Sequence, residues 1–174
     1  MKNSSDSLRD LFTIKIRALY DIESELVKAL PKVAESCTDS SLKAAIIQHL
    51  GQTKDHVERI KKIFDLIGER PKKIKVEAIR GLVADTEWVI KKAVSDGTRD
   101  AGIIASAQYV EHYEMAGYRS ARNWAALLGE DQASELLQET LSEEEAIDHK
   151  LNALAADSIN VKAGIGSNPM AQKK

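Results

Sequence analysis

Glutamates and histidines stand where hydrophobes are expected in four amphipathic repeats of this sequence, and carboxylates grouped with imidazoles are the donors of iron or manganese rather than of a thiolate metal. The first repeat reads Phe12, Ile16, Leu19, Glu23, Leu26, Leu30 and Val33, alternating spacings of four and three that put Glu23 on the apolar face of a helix. A second reads Leu42, Ile46, His49, Thr53, His56, Ile60, Ile63, Ile67. The third is Ile103, Ala107, Val110, Glu114, Gly117, Ala121, Trp124, Leu128, and the fourth is Ala133, Leu137, Thr140, Glu144, Ile147, Leu151, Leu154. Each polar interruption falls near the middle of its repeat.

An unpartnered carboxylate moved out of water costs several kcal/mol even after relaxation, so such a layer calls for cations among its members. Glu111 and Glu114 are three residues apart and share a helix face. Glu144 has Asp148 one turn beyond it, and His56 is the best nitrogen donor, with Gln52 offering a weak amide oxygen four residues earlier. The candidate ligands are therefore Glu23, Gln52, His56, Glu111, Glu114, Glu144 and Asp148, with His49 as an outer group. Glu143, Glu145 and His149 are expected to face water, and one of Tyr20, Tyr109, Tyr113 and Tyr118 to donate a hydrogen bond to the layer. A solvated helix face competes as a reading for Glu111, and a hydrogen-bonded core histidine for His56.

Four helices are needed to position these groups. The periodicity predicts helices over about 6–36, 42–67, 99–128 and 131–158, with Pro31 kinking the end of the first. Short links join the first pair and the last pair, while about 30 residues separate the second and third helices. That span carries a further amphipathic helix on Val76, Ile79, Val83, Ile90 and Val94. The expected fold is all-α, a four-helix bundle with a long crossover between helices two and three bearing an extra short helix. Residues 1–160 form one domain and 161–174 a flexible tail.

Composition narrows the function. A net charge of −2 gives no electrostatic case for nucleic acid or an anionic membrane, and no apolar run is long enough for a membrane span. The start has no secretory signal, so a cytoplasmic location is expected. The single Cys37 is a packing thiol, and the sequence contains no phosphate loop, dinucleotide turn or C-x-x-C pair. Ile47, Leu50, Val57 and Phe64 widen the apolar face of the second helix and suggest a dimer interface or the seat of the crossover helix.

Longer strings of residues add a resemblance. Tyr20-Asp21-Ile22-Glu23, Ala29-Leu30-Pro31-Lys32, Val57-Glu58-Arg59-Ile60, Val110-Glu111-His112-Tyr113-Glu114 and Glu139-Thr140-Leu141 resemble the YciE/YciF family of stress proteins from Leu8 to Leu154. The resemblance implies a ferritin-like bundle akin to rubrerythrin, with Glu23 as the first-helix ligand, Glu111 and Glu114 as the paired third-helix carboxylates, and Glu144 with Asp148 from the fourth. Where the family has a glutamate before Thr53 this chain has Gln52, and it has His56 where glutamine is frequent, which implies weaker metal binding on the second-helix side. The expected function is a stress-response protein with a mono- or dinuclear iron (or manganese) site that reacts with peroxide or dioxygen, as a homodimer. A non-catalytic dimeric structural protein and an iron-storage assembly of the starvation-protein type are the alternatives.

Overall fold

The computed structural model describes residues 7–166. Among them, α1 spans Leu8–Ser36, α2 Ser40–Leu66, α3 Glu77–Lys92, α4 Asp96–Leu127 and α5 Asp131–Leu154, after which a π-helical turn, Ala155–Ile159, leads into α6, Asn160–Gly166. The fold is the all-α bundle with a helical crossover that the periodicity predicts.

Local chemistry sets the helix ends. The Ser7 and Asp39 side chains accept from backbone N–H groups of the first turns of α1 and α2, and Ser95 forms a reciprocal capping box with Thr98 at α4. Gly68 and Gly129 close α2 and α4 with φ of 69° and 74°, a left-handed conformation that side chains resist. The following amides of Glu69 and Glu130 reach back to Phe64 O and Ala125 O at 2.9 Å in each case. α1 runs through Pro31 to Ser36.

Long-range polar contacts fix the helix directions. At one end Arg9 Nη1 pairs with Glu130 Oε1 at 2.7 Å, bringing together the starts of α1 and α5. At the other, the buried Asp100 carboxylate near the start of α4 accepts from Thr38 N at 2.9 Å and Asp39 N at 2.8 Å, beside the end of α1. α1 and α5 therefore run one way, and α2 and α4 the other. Packing of α1 on α2, α2 on α5, α5 on α4 and α4 on α1 closes a ring of antiparallel neighbours around Phe12, Ile16, Ile46, Ile60, Ile103 and Leu137, all essentially without solvent exposure.

The crossover α3 packs on α4 and α1. Asp21 anchors it, accepting from Val76 N at 2.9 Å and from Arg80 Nη1 at 2.7 Å, and this guanidinium holds the Asp21 carboxyl below its ordinary value. A Cβ on Gly102 of α4 would collide with Val89 of α3, so the two helices meet closely there.

Three expectations need correction. The chain does not become a tail at 161: α6 folds back on the start of α4, with Lys162 Nζ 2.8 Å from Asp39 Oδ2 and Ile159 buried. The rest of the expected tail, 167–174, lies outside the described residues. Val94 falls beyond the C-terminus of α3 and is fully exposed, and Phe64 of the expected apolar surface stripe is buried instead in the bundle core.

Candidate metal centre

Each bundle helix has its polar interruption close to its midpoint, and antiparallel packing brings these midpoints to one level. Glu23, His49, His56, Glu111, Glu114 and Glu144 are all at most 2% exposed, enclosed above and below by the apolar layers of the bundle. Their ligand atoms fall into two groups, each lying within 4.8 Å: His49, Glu111, Glu114 and Glu144 in one, and Glu23, His56 and Glu144 in the other. Glu144 belongs to both.

The second group has an ordered surround. His56 Nδ1 is 3.0 Å from Glu144 Oε1 and 3.4 Å from Glu23 Oε1, within ion-pair reach, although it is in hydrogen-bond alignment with neither. The other ring nitrogen, Nε2, is 2.8 Å from Glu143 Oε2, and Glu143 is held in turn by Arg59 Nη2 at 3.0 Å. A carboxylate that takes one imidazole N–H fixes the ring so that the opposite nitrogen faces the centre, the usual outer support of a metal-binding histidine. Tyr118, wholly buried, donates its hydroxyl to Glu23 Oε1.

The first group is the less satisfied of the two. Both oxygens of Glu114 and Glu144, Oε2 of Glu111 and both ring nitrogens of His49 have no hydrogen-bond partner. His49 Nε2 approaches Glu111 Oε1 at 3.4 Å and Glu144 Oε2 at 3.9 Å. Buried polar atoms nearly always have partners, and so many without one in a single layer leave a set of lone-pair donors that could hold a cation.

Electrostatics point the same way. Burial raises the Glu111 and Glu114 carboxyls well above their ordinary range, with the charge of Glu144 adding for Glu111 and that of Glu23 for Glu114. Burial also raises Glu23, against the pull of His56. For His56 burial favours the neutral ring, but the adjacent carboxylates of Glu144 and Glu23 prevail and push it up to about 11. Glu144 is lowered because His56 and the neighbouring His49 outweigh its burial, and burial lowers the His49 ring below its ordinary value. With Glu23, Glu111 and Glu114 raised toward the neutral form, protons stand where positive charge is needed; divalent cations could take their place, and carboxylate oxygens with imidazole nitrogens are donors that such ions accept.

Of the residues expected as ligands, Glu23, His56, Glu111, Glu114 and Glu144 come together. Asp148 is half-buried and outside both groups, and Gln52 is half-buried. Asp148 instead accepts from Gln108 Nε2 at 3.1 Å and lies 3.5 Å from His112 Nε2. His49, expected as an outer group, belongs to the cluster itself, and its place in the second apolar repeat is the signal for it. Glu143, expected in water, is turned inward by Arg59 and His56, which no periodicity of its own helix reveals.

Comparison with known proteins agrees with this architecture. Residues 7–164 match the family described as a domain of unknown function, DUF892. The chain is 37% identical to Protein YciF of Escherichia coli (strain K12) over 158 residues, which are 90% of this chain and 95% of that protein. The crystal structure of the E. coli stress protein YciF superposes with a TM-score of 0.86 at 36% identity, covering 90% of this chain and 99% of that one. YcfI from Rhodopseudomonas palustris, for which a structural role has been suggested, gives 0.83 at 35% identity over 84% of this chain and 94% of the other. A Xanthomonas campestris protein at 17% identity shares the fold, with a TM-score of 0.72 over 93% of this chain and 100% of its own. With its whole bundle covered by these matches, the chain belongs to the DUF892 family, of which YciF is a stress protein.

Proposed function

We propose that this chain is a cytoplasmic stress-response protein whose bundle centre holds two metal ions, iron before manganese, and reacts with peroxide or dioxygen. The observation that carries the reading is the pair of donor groups sharing Glu144 in a layer where Glu114, Glu144 and His49 otherwise lack hydrogen-bond partners. Glu111, Glu114 and His49 would hold one ion, Glu23 and His56 the other, and Glu144 would bridge. When bound, such a pair supplies electrons to an oxygen–oxygen bond. The chain itself keeps water out with apolar layers, orients His56 through Glu143 and Arg59, and presents the Tyr118 hydroxyl as a proton donor at Glu23. The described helices include none long and apolar enough to cross a membrane, and the stress assignment of the E. coli relative supports the cellular role.

A homodimer fits the exposed Trp88 and Tyr109, 61% and 69% accessible, which flank one surface recess between α3 and α4. The second reading is a non-catalytic structural protein whose polar layer sets helix register; the role suggested for YcfI and the Glu143–His56–Glu23 network favour it. Loading the chain with iron(II) under anaerobic conditions and mixing it with hydrogen peroxide separates the two. Stoichiometric peroxide consumption with a rise in near-ultraviolet absorbance, both absent in Glu144→Ala, is expected. Peroxide decay no faster than with free iron would leave the structural reading.

A further inference from the structure

A cavity of about 220 Å³ lies between α1, α3 and α4 and reaches the metal-type cluster from the surface. Its walls are mostly apolar, with Leu26, Leu30 and Val33 from α1, Val83 and Ile90 from α3, and Val110 from α4, while the Ser36 and Thr86 hydroxyls on them donate to the backbone carbonyls of Lys32 and Leu82. At the inner end stand His49 and Glu111, each about 2% exposed, and neither the His49 ring nitrogens nor Glu111 Oε2 has a hydrogen-bond partner. At the mouth Lys32 and Glu87, both well exposed, face each other across α1 and α3 with Nζ and Oε1 at 3.8 Å. The crossover helix closes what would otherwise be an open groove between α1 and α4.

Size and lining decide what fits. An apolar cavity of about 150 Å³ accepts a benzene molecule, so this one has room for a single ring or short branched alkyl group with substituents. Walls this largely apolar, with their two hydroxyls already donating to backbone carbonyls, disfavour sugars, nucleotides and ions, which would lose hydration and find few partners. Dioxygen or hydrogen peroxide needs no such volume. The unpartnered atoms of His49 and Glu111 offer hydrogen bonding at one end only.

We propose that the α1–α3–α4 cavity is a binding site for a small apolar molecule with one hydrogen-bonding group, held with that group toward His49 and Glu111. As a binding site it stands without any metal. As the substrate pocket of the centre it rests on the reading above, and makes the molecule that meets the centre an apolar one. The Lys32–Glu87 pair, exposed and weak, is a mouth that opens readily.

The test uses the metal-free full-length chain and cumyl alcohol, a probe with one ring, a branched alkyl carbon and one hydroxyl. Isothermal titration is expected to give a Kd below about 1 mM in the parent, about tenfold or more weaker binding in Val83→Phe and in Ala107→Phe, which fill the cavity, and no binding of glycerol. Methyl chemical shifts of the parent give a second readout that needs no variant: Leu30, Val83, Ile90 and Val110 should move on addition of cumyl alcohol. Absence of binding up to about 10 mM, equal binding in both filled variants, or shifts confined to other methyls would overturn the proposal. Because no metal is present, failure here leaves the metal centre standing, and a chain that binds cumyl alcohol but no iron separates the two in the other direction.

Discussion

At the scale of single residues, the centre is a set of groups that harm the folded chain unless a cation joins them. Glu114 has both carboxylate oxygens buried and unpartnered. Replacing a buried charged group by an apolar one of similar volume is often stabilising by about 1–4 kcal/mol, so Glu114→Leu should raise the denaturant midpoint of the metal-free chain while abolishing metal-dependent stabilisation. Unfolding of both proteins with and without iron(II) checks this; a less stable metal-free variant would mean that Glu114 has a structural partner. Protonation follows the same logic. Glu111 and Glu114 have raised pKa values in the folded chain, so they contribute stability below the ordinary carboxylate value of 4.5 and lose it as pH rises through their folded values. His56, ordinarily 6.5 and about 11 when folded, contributes fully below the former and loses its contribution as pH rises through the latter. The two effects add, the lowered Glu144, Asp21 and His49 act only below the ordinary histidine value of 6.5, and above that value the metal-free chain should lose thermal stability steadily toward alkaline pH, as scanning calorimetry at a series of pH values would show. A flat profile, or one rising with pH, would contradict these protonation states.

At the scale of elements, helix ends and crossings hold the layer level. Gly68 and Gly129 terminate α2 and α4 with positive φ, and a Cβ meets open space at both, so the cost of alanine there is conformational alone. Gly68→Ala and Gly129→Ala should each destabilise by about 1–2 kcal/mol with metal binding intact, measured by urea unfolding and iron titration. Gly102 differs, because Val89 of α3 occupies the space a side chain would need; Gly102→Ile should cost about 1–3 kcal/mol through overpacking and loosen α3 in hydrogen exchange. The helix periods were plain in the sequence because the bundle interior enforces them. Two departures had physical causes. α4 meets α1 across the polar layer, so it buries Tyr118 against Glu23 and the His56 ring, outside the single stripe that spacing suggests. The C-terminal segment lacks strong periodicity, and α6 docks through Lys162 on the loop before α2 and through a backbone approach of Ala163 to Gly97, contacts that depend on distant elements.

At the scale of the whole molecule, four helix midpoints converge because the bundle is antiparallel throughout, and this made the level of the site legible before its membership was. Glu23, Glu111, Glu114, Glu144 and His56 follow from apolar stripes broken by charge. His49 was legible in the same stripe but underweighted, since a lone histidine at a core position carries no partner in the sequence. Glu143 and Tyr118 depend on which helix faces which, and become visible only when α5 lies against α2 and α4 against α1. The central claim is that this convergence is a place for two metal ions, with Glu144 common to both. Anaerobic equilibrium titration of iron(II) into the metal-free chain, in parallel with Glu144→Ala, tests it most directly. The account predicts saturation at about two ions per parent chain and loss of both in the variant, with helicity unchanged in circular dichroism. A parent chain that stays folded and binds no iron, or a variant that binds as the parent does, would contradict it.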